Sequence, residues 1–233
     1  MPSGRWRLTA FLLFLVAVFL ALGTWQVQRL FWKLDLIARV EARVHAAPVP
    51  APARAAWDGV NARDDEYRRV TATGLFEHDR SVLVQAVTQL GAGFWVVTPL
   101  RLDDGSTILV NRGFVPAGKR DPAARIASEI AAGPVTVTGL LRITEPGGAF
   151  LRSNDPANGR WYSRDVAAIA AAEGLSDVAP YFIDADATPN PGGLPVGGLT
   201  VVAFRKSHLA YALTWYALAA MSAYGVYRVR RLG

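Results

Sequence analysis

One histidine stands where an ionisable side chain is expensive. His208 lies at the start of an uncharged apolar run, residues 207–227, near the C-terminus. On a helix, Tyr211, Ala212 and Trp215 share its face. An ionisable residue at the mouth of a membrane span is a functional candidate by default. Trp25 and Gln26 fall at the end of a second apolar run, residues 8–28, at the same depth. Arg29, Arg205 and Lys206 lie just above. A neutral imidazole, aromatic walls, interfacial bases and adjoining lipid suit an amphipathic porphyrin. The imidazole would bind iron, the bases would pair with propionates, and an apolar tail could enter the bilayer. The same residues also fit an interfacial imidazole with its head in water and an ordinary aromatic belt.

The two runs must position these groups. As a helix each spans about 30 Å, at about 1.5 Å per residue, which matches a hydrocarbon core. A segment alone in lipid satisfies its backbone only as a helix. The chain therefore reads as a membrane protein with two transmembrane helices and a folded domain between them. The first run also has features of a signal peptide, with Arg5 and Arg7 before it and Ala21-Leu22-Gly23 near its end. Its apolar character runs on through Thr24 and Trp25, an interfacial anchor, which favours a retained span.

Charge divides the chain further. Its 25 basic and 19 acidic residues give a net charge of +6. Setting aside the tail residues Arg5, Arg7, Arg228, Arg230 and Arg231 leaves 20 basic against 19 acidic. A near-neutral domain is no electrostatic nucleic-acid binder. Short, purely basic tails belong on the cytoplasmic side, which places the domain on the extracytoplasmic (periplasmic) face. Arg29, Lys33, Arg205 and Lys206 pull weakly the other way. Seven residues before the first run leave no room for an organelle transit peptide, so the expected site is a bacterial plasma (inner) membrane. Having no cysteine, the chain cannot form disulfides, thiolate zinc sites or a cysteine nucleophile.

The expected layout follows in order. Residues 1–7 and 228–233 are tails, and 8–28 and 207–227 are spans. Residues 29–56 form a helical extension and a Pro-rich spacer, with Pro48, Pro50 and Pro52 favouring a semi-rigid extended chain. Residues 57–206 form an α+β domain. Within it, 70–76, 81–88, 94–102, 107–115 and 135–143 are rich in β-branched and aromatic residues, and turn residues separate them. They predict a mainly antiparallel sheet or small barrel. Asp121-Pro122 starts one helix, which Gly133 closes; Ser163 caps another through Val166, Ile169 and Ala172, ended by Gly174. Later strands are expected at 181–184 and 199–204.

No Walker loop, dinucleotide fingerprint, His-Glu-x-x-His or G-x-S-x-G elbow is present, so no catalytic residue is assigned. A membrane-anchored enzyme with a convergent site is the weakest class. Asp64-Asp65-Glu66 reads as a solvated loop rather than a cation site. Asp184 and Asp186 read as turn-formers, His45 as solvated and His78 as a turn residue.

Several blocks, in order, are similar to one family. They include Gly23-Thr-Trp-Gln-Val-Gln-Arg29 with Trp32-Lys-Leu, Phe94-Trp-Val-Val-Thr-Pro-Leu100 and Thr107-Ile-Leu-Val-Asn-Arg-Gly-Phe-Val-Pro116. Arg142-Ile-Thr-Glu145, Asn154-Asp155, Trp161-Tyr162 with Asp165, Phe182-Ile-Asp-Ala185 and His208-Leu-Ala-Tyr-Ala-Leu-Thr-Trp-Tyr216 continue the series. Together they resemble the Surfeit-locus-one family of cytochrome c oxidase assembly factors over almost the whole chain.

That resemblance implies a non-catalytic, two-span protein serving the haem-copper oxidase catalytic subunit around haem a insertion. Its partners would be that subunit and the haem a synthase. His208 matches the proposed axial ligand of haem iron. Tyr211, Trp215 and Trp25 would line the site by position, with Arg29 and Arg205 as bases. Many relatives carry further bases where this chain has Leu30-Phe31, which shifts any propionate role onto Arg29 and Lys33. The other expectation is a scaffold without haem that docks and stabilises the nascent oxidase subunit. In that reading Asn111-Arg112-Gly113-Phe114 is a recognition surface, or else simply a strand end where glycine turns the chain.

Overall fold

The computed structural model describes residues 3–129, 133–149, 151–200 and 208–231. Contacts divide the chain into two units, 1–39 with 202–233, and 40–201.

The first unit holds most of α1 (Ser3–Val44) and all of α3 (His208–Arg231), a helix pair. Both helices are long and apolar enough to cross a membrane. The first apolar run and its expected helical extension are one unbroken helix. No proline interrupts it before Pro48, and Asp35–Arg39 pairs one turn apart along its polar part. Gly23 is buried against Tyr216, and a Cβ there would stand 2.8 Å from the Tyr216 ring. Phe19 stacks on Trp215 with centroids 5.7 Å apart, and Leu12 meets Gly225. The helices therefore run antiparallel, which brings the two basic tails to the same end of the pair.

The second unit is a small barrel. Its strands are β1 (Val49–Pro50), β2 (Arg69–Phe76), β3 (Val82–Thr88), β4 (Gly91–Leu102), β5 (Thr107–Pro116), β6 (Val135–Ile143), β7 (Gly148–Ala149), β8 (Arg152–Ser153) and β9 (Val178–Ala185). The order β2-β6-β9-β5-β4 closes through a β2–β4 pairing. These five strands form the barrel, with β3 added outside β4 and β1 outside β2. Most pairings are antiparallel, as expected. Two are parallel: β1–β2 and β5–β9. The second needs a long crossover, and β6, the β7–β8 hairpin and α2 (Val166–Ala172) supply it.

Alternation along the strands builds two cores. Val70, Leu100, Ile108, Val110, Leu141, Tyr181 and Ile183 fill the barrel. Val84, Val97, Leu109 and Phe182 point outward and are covered by Trp161 and by Val166 and Ile169 of α2.

Three local expectations change. The cap of α2 is Asp165, whose Oδ1 accepts from Ala168 N at 3.1 Å. Ser163 instead donates to Glu145 O at 2.7 Å. The Asp121 segment is a 3-10 turn, Pro122–Ser128, and Asp121 caps it as expected. Leu199 and Thr200 are not strand, and 201–204 lie outside the described residues.

The proline segment is no free spacer. Val49 and Pro50 pair with Val70 and Thr71, and Ala51 N donates to Thr71 O at 2.8 Å. Pro52 O accepts from Tyr181 Oη at 2.8 Å and from Trp57 Nε1 at 3.1 Å. Prolines suit an edge strand because they lack the N–H that a central ladder needs. Burial pushes the Tyr181 phenol above its ordinary value of 10.0. The unfolded chain then releases this proton first, so its contribution to stability is full below pH 10 and falls as pH rises above it. Tyr181→Phe is expected to cost about 1 kcal/mol at neutral pH, for the lost hydrogen bond. It should also flatten the decline in unfolding midpoint above pH 10. A variant whose alkaline decline matches wild type would contradict this.

Candidate functional site

Helix packing sorts the candidate residues at the mouth of the spans. Thr24 Oγ1 and Tyr216 Oη are 3.3 Å apart, close to the Gly23–Tyr216 contact. Carrying that antiparallel register toward the start of α3 brings position 208 level with residues 26–31 of α1. Position 208 also shares the stripe of Ala212, which is 2% exposed, and of half-buried Trp215. This is the stripe that packs on α1. Tyr211 is 56% exposed and off it. Trp25 is 49% exposed, with the Arg29 guanidinium 5.3 Å from its ring centroid. Trp25 and Arg29 form an outward cleft with Gln28 and Trp32, on the side of α1 away from Gly23. The structure therefore does not bring Trp25 and Arg29 to Trp215. Arg205 lies outside the described residues.

The barrel contains a charge cluster that the sequence reading missed. Asp184, expected as a turn-former, is 2% exposed near the end of β9. Its carboxylate accepts from Arg142 Nη1 at 2.9 Å, Arg164 Nη1 at 2.8 Å, Asn111 Nδ2 at 2.8 Å and Thr200 Oγ1 at 3.0 Å. Glu145 completes a fork on Arg164, with Oε2 taking Nε at 3.1 Å and Oε1 taking Nη2 at 2.6 Å. Burial opposes the charge on Arg164, but Asp184 and Glu145 outweigh it, so its pKa is raised. Glu66 Oε1 accepts from Arg142 Nε at 3.4 Å, so one residue of the expected solvated acidic loop is drawn into the cluster. Asp65, also buried, accepts from Arg68 Nη1 at 2.7 Å. The Arg142 and Arg164 guanidinia both lie over the Phe182 ring, at 6.0 and 4.7 Å. The one available signal was charge at a strand position: Arg142 and Asp184 interrupt strand patterns with no turn residue beside them. Among the described residues no group of three or more His, Asp or Glu could hold a metal ion. The cluster is a structural ion network.

The Asn111–Phe114 block is not a surface. Asn111, Arg112 and Phe114 are all buried. Nor is it a strand end. Val96 pairs with Gly113 and Val97 with Asn111, so Arg112 is the extra residue of a β-bulge in the middle of β5. Gly113 carries a φ of 137° there. Arg112 follows Ile108 and Val110 on the inward face and reaches one mouth of the barrel, where Nη1 meets His78 Nδ1 at 3.1 Å and Nη2 donates to Asn190 Oδ1 at 3.2 Å. His78 is thus a partner of a buried guanidinium, not merely a turn residue.

Comparison with known proteins decides the family. The model of the SURF1 family matches residues 13–220, covering the barrel, most of α1 and the first half of α3. This chain belongs to the SURF1 family. Surfeit locus protein 1 of Rattus norvegicus is 41% identical over 239 residues, spanning 95% of this chain and 76% of that protein. The Homo sapiens protein of that name is 41% identical over 222 residues, spanning 87% and 71%. A SURF1-like protein of Caenorhabditis elegans is 33% identical over 239 residues, spanning 93% and 72%. SURF1 proteins are cytochrome c oxidase assembly factors without enzymatic activity. The ordered blocks read in the sequence therefore carried a true resemblance, and the absence of a catalytic motif agrees with it.

Proposed function

We propose that this SURF1 protein holds haem a at the membrane interface through His208 and passes it to the catalytic subunit of a haem-copper oxidase. The observation that carries the reading is the start of α3. There position 208 falls on the stripe that packs against α1, one turn from Ala212 and two from Trp215, level with the stretch of α1 that ends near Arg29. One imidazole suffices for an axial bond to haem iron, so no cluster of ligands is needed. Trp215 offers an aromatic wall and Lys33 a cation for a propionate, while Arg29, on the side of α1 away from Gly23, would reach a propionate only around the edge of that helix. Arg205, Tyr211 and Trp25 remain peripheral members of this site. Bound haem would be cargo; the chain's own task is to orient it, shield it from water and release it. The oxidase subunit must win the exchange, so affinity for haem is modest. The haem a synthase is the donor.

Placement follows from charge. Arg5, Arg7, Arg228, Arg230 and Arg231 flank the two spans on one side, and short basic tails stay cytoplasmic. The barrel then lies on the extracytoplasmic face of a bacterial plasma membrane.

The test is an optical spectrum of the detergent-purified protein co-expressed with the haem a synthesis enzymes, wild type beside His208→Ala. Soret and α bands should be present in wild type and lost in the variant. Full haem occupancy in His208→Ala would remove the ligand assignment. A haem-free wild type, under expression that fills a known haem a protein, would favour a scaffold that docks the nascent subunit without haem.

A further inference from the structure

β3 is an edge strand, and part of its outer edge is open. The chain already uses that edge once: Trp161 pairs in parallel with Val84, and Gln85 N donates to Trp161 O at 2.8 Å. Beyond Trp161 the chain leaves the edge, because Tyr162 N and Ser163 N both donate to Asn154 Oδ1. Backbone groups alternate in direction along an antiparallel pair, so every second residue counted from Gln85 aims its N–H and carbonyl away from β4. The carbonyl of Gln85 and both backbone groups of Val87 therefore face outward, with no strand beside them among the described residues. Val87 is 86% exposed. Edge strands are commonly blunted by proline, lysine or a bulge, and β3 carries none of these.

Two adjoining clefts of about 470 and 540 Å³ lie along this strand and share Gln85, Phe94 and Tyr162. Arg120, Arg152 and Arg160 line them, and no acidic residue does. Elsewhere in the barrel unit Arg54, Arg68, Arg80, Arg101, Arg142 and Arg164 each meet a carboxylate. Arg152 does not: its Nη1 donates to Gln85 Oε1 at 2.9 Å, and its guanidinium lies over the Tyr162 ring. The side chain of Arg160 is exposed and makes no hydrogen bond or ion pair among the described residues. A nearly neutral domain thus gathers unneutralised positive charge beside its one open stretch of strand. Exposed Leu90 and Leu151 stand at the tips of the two hairpins whose strands line the second cleft. An added strand gains affinity from backbone hydrogen bonds and specificity from its alternate side chains. We propose that the open edge of β3 docks an extended acidic segment of a partner protein as an added strand. Val87 is its backbone anchor, and Arg152 and Arg160 take its carboxylates. All these residues belong to the barrel unit, so the proposal does not rest on haem at His208.

The probe is a dye-labelled hexapeptide of alternating aspartate and valine, blocked at both ends. Its binding to the full chain in detergent is followed by fluorescence anisotropy. The same peptide with lysine in place of aspartate is the control for apolar contact and for partition into micelles. The aspartate peptide is expected to bind at least about tenfold more tightly than the lysine one. Val87→Pro removes an N–H that points away from β4, so the β3–β4 ladder and the near-ultraviolet circular dichroism should be unchanged. It should weaken binding of the aspartate peptide by about tenfold. Arg152→Glu, at an exposed position, should remove the preference for aspartate over lysine. Equal binding of the two peptides to wild type, or no binding at millimolar concentration, would overturn the proposal. So would unchanged affinity in Val87→Pro, which would mean that charge alone holds the peptide and no strand is added.

Discussion

Asp184→Ala is expected to destabilise the barrel by about 3–5 kcal/mol, the range for removing one partner of a buried ion pair. The carboxylate is the centre of the network, and the side chains of Arg142 and Arg164 are each only 13% exposed. Without it, two guanidinia face each other beside Phe182, and Asn111 and Thr200 lose an acceptor. The loss is not one of packing volume, since the variant leaves the hydrophobic cores untouched. Domains are stable by about 5–15 kcal/mol, so this single change removes a large part of the total. Glu145→Gln is the contrast. Its side chain is 35% exposed, water can replace part of the interaction, and the loss should stay at or below about 1 kcal/mol. Chemical unfolding of the full chain in detergent, followed by near-ultraviolet circular dichroism, measures both. Equal midpoints for Asp184→Ala and wild type would mean that the network contributes nothing.

Gly113→Ala should cost nearly as much, about 3–5 kcal/mol, by a different route. The φ of 137° is open to glycine and strained for alanine, worth about 1–3 kcal/mol. A Cβ would also stand 2.3 Å from Val196 O. That carbonyl accepts from Phe114 N at 2.8 Å, and Val196 N donates to Phe114 O at 2.9 Å. Relieving the clash breaks this pair of bonds, each worth about 1 kcal/mol. Gly105, in the β4–β5 turn, has a φ of 81° but open space where a Cβ would go. Gly105→Ala therefore pays only the strain. The difference between the two variants isolates the cost of the close backbone approach in the bulge, and equal losses would refute it. Because Gly113 adjoins Arg112, the backbone shift that relieves the clash should also disturb the hydrogen bonds of its guanidinium to His78 and Asn190.

Sequence periodicity and contact geometry explain different parts of this molecule. Two long uncharged runs, period-two strand patterns and Asp-Gly turns determine helices and strands locally, because side-chain burial and backbone preference act over a few residues. They were legible: both apolar helices, the five strands β2 to β6 and the later β9 fall where these patterns predict. The ordered motif blocks carried the family. Motif position also singled out His208, although from the spacing alone an interfacial imidazole with its head in water was the favoured reading over a ligand. What the patterns do not contain is which distant residues meet. Parallel pairing of β5 with β9 is set by barrel closure, and that closure carries Asp184 from an apparent turn onto Arg142 and Arg164. The proline stretch reads as a spacer until the backbone of Thr71 and the phenol of Tyr181 supply partners for it. Helix packing likewise separates Trp25 and Arg29 from Trp215, because only the contact between Gly23 and Tyr216 says which side of α1 faces its partner. By itself the sequence determined most of the elements, the family and the positive charge of both tails. The tertiary structure alone decided the buried ion network and the bulge beside Arg112 with its bonds to His78 and Asn190, since each is a balance of desolvation and pairing between residues far apart in the chain.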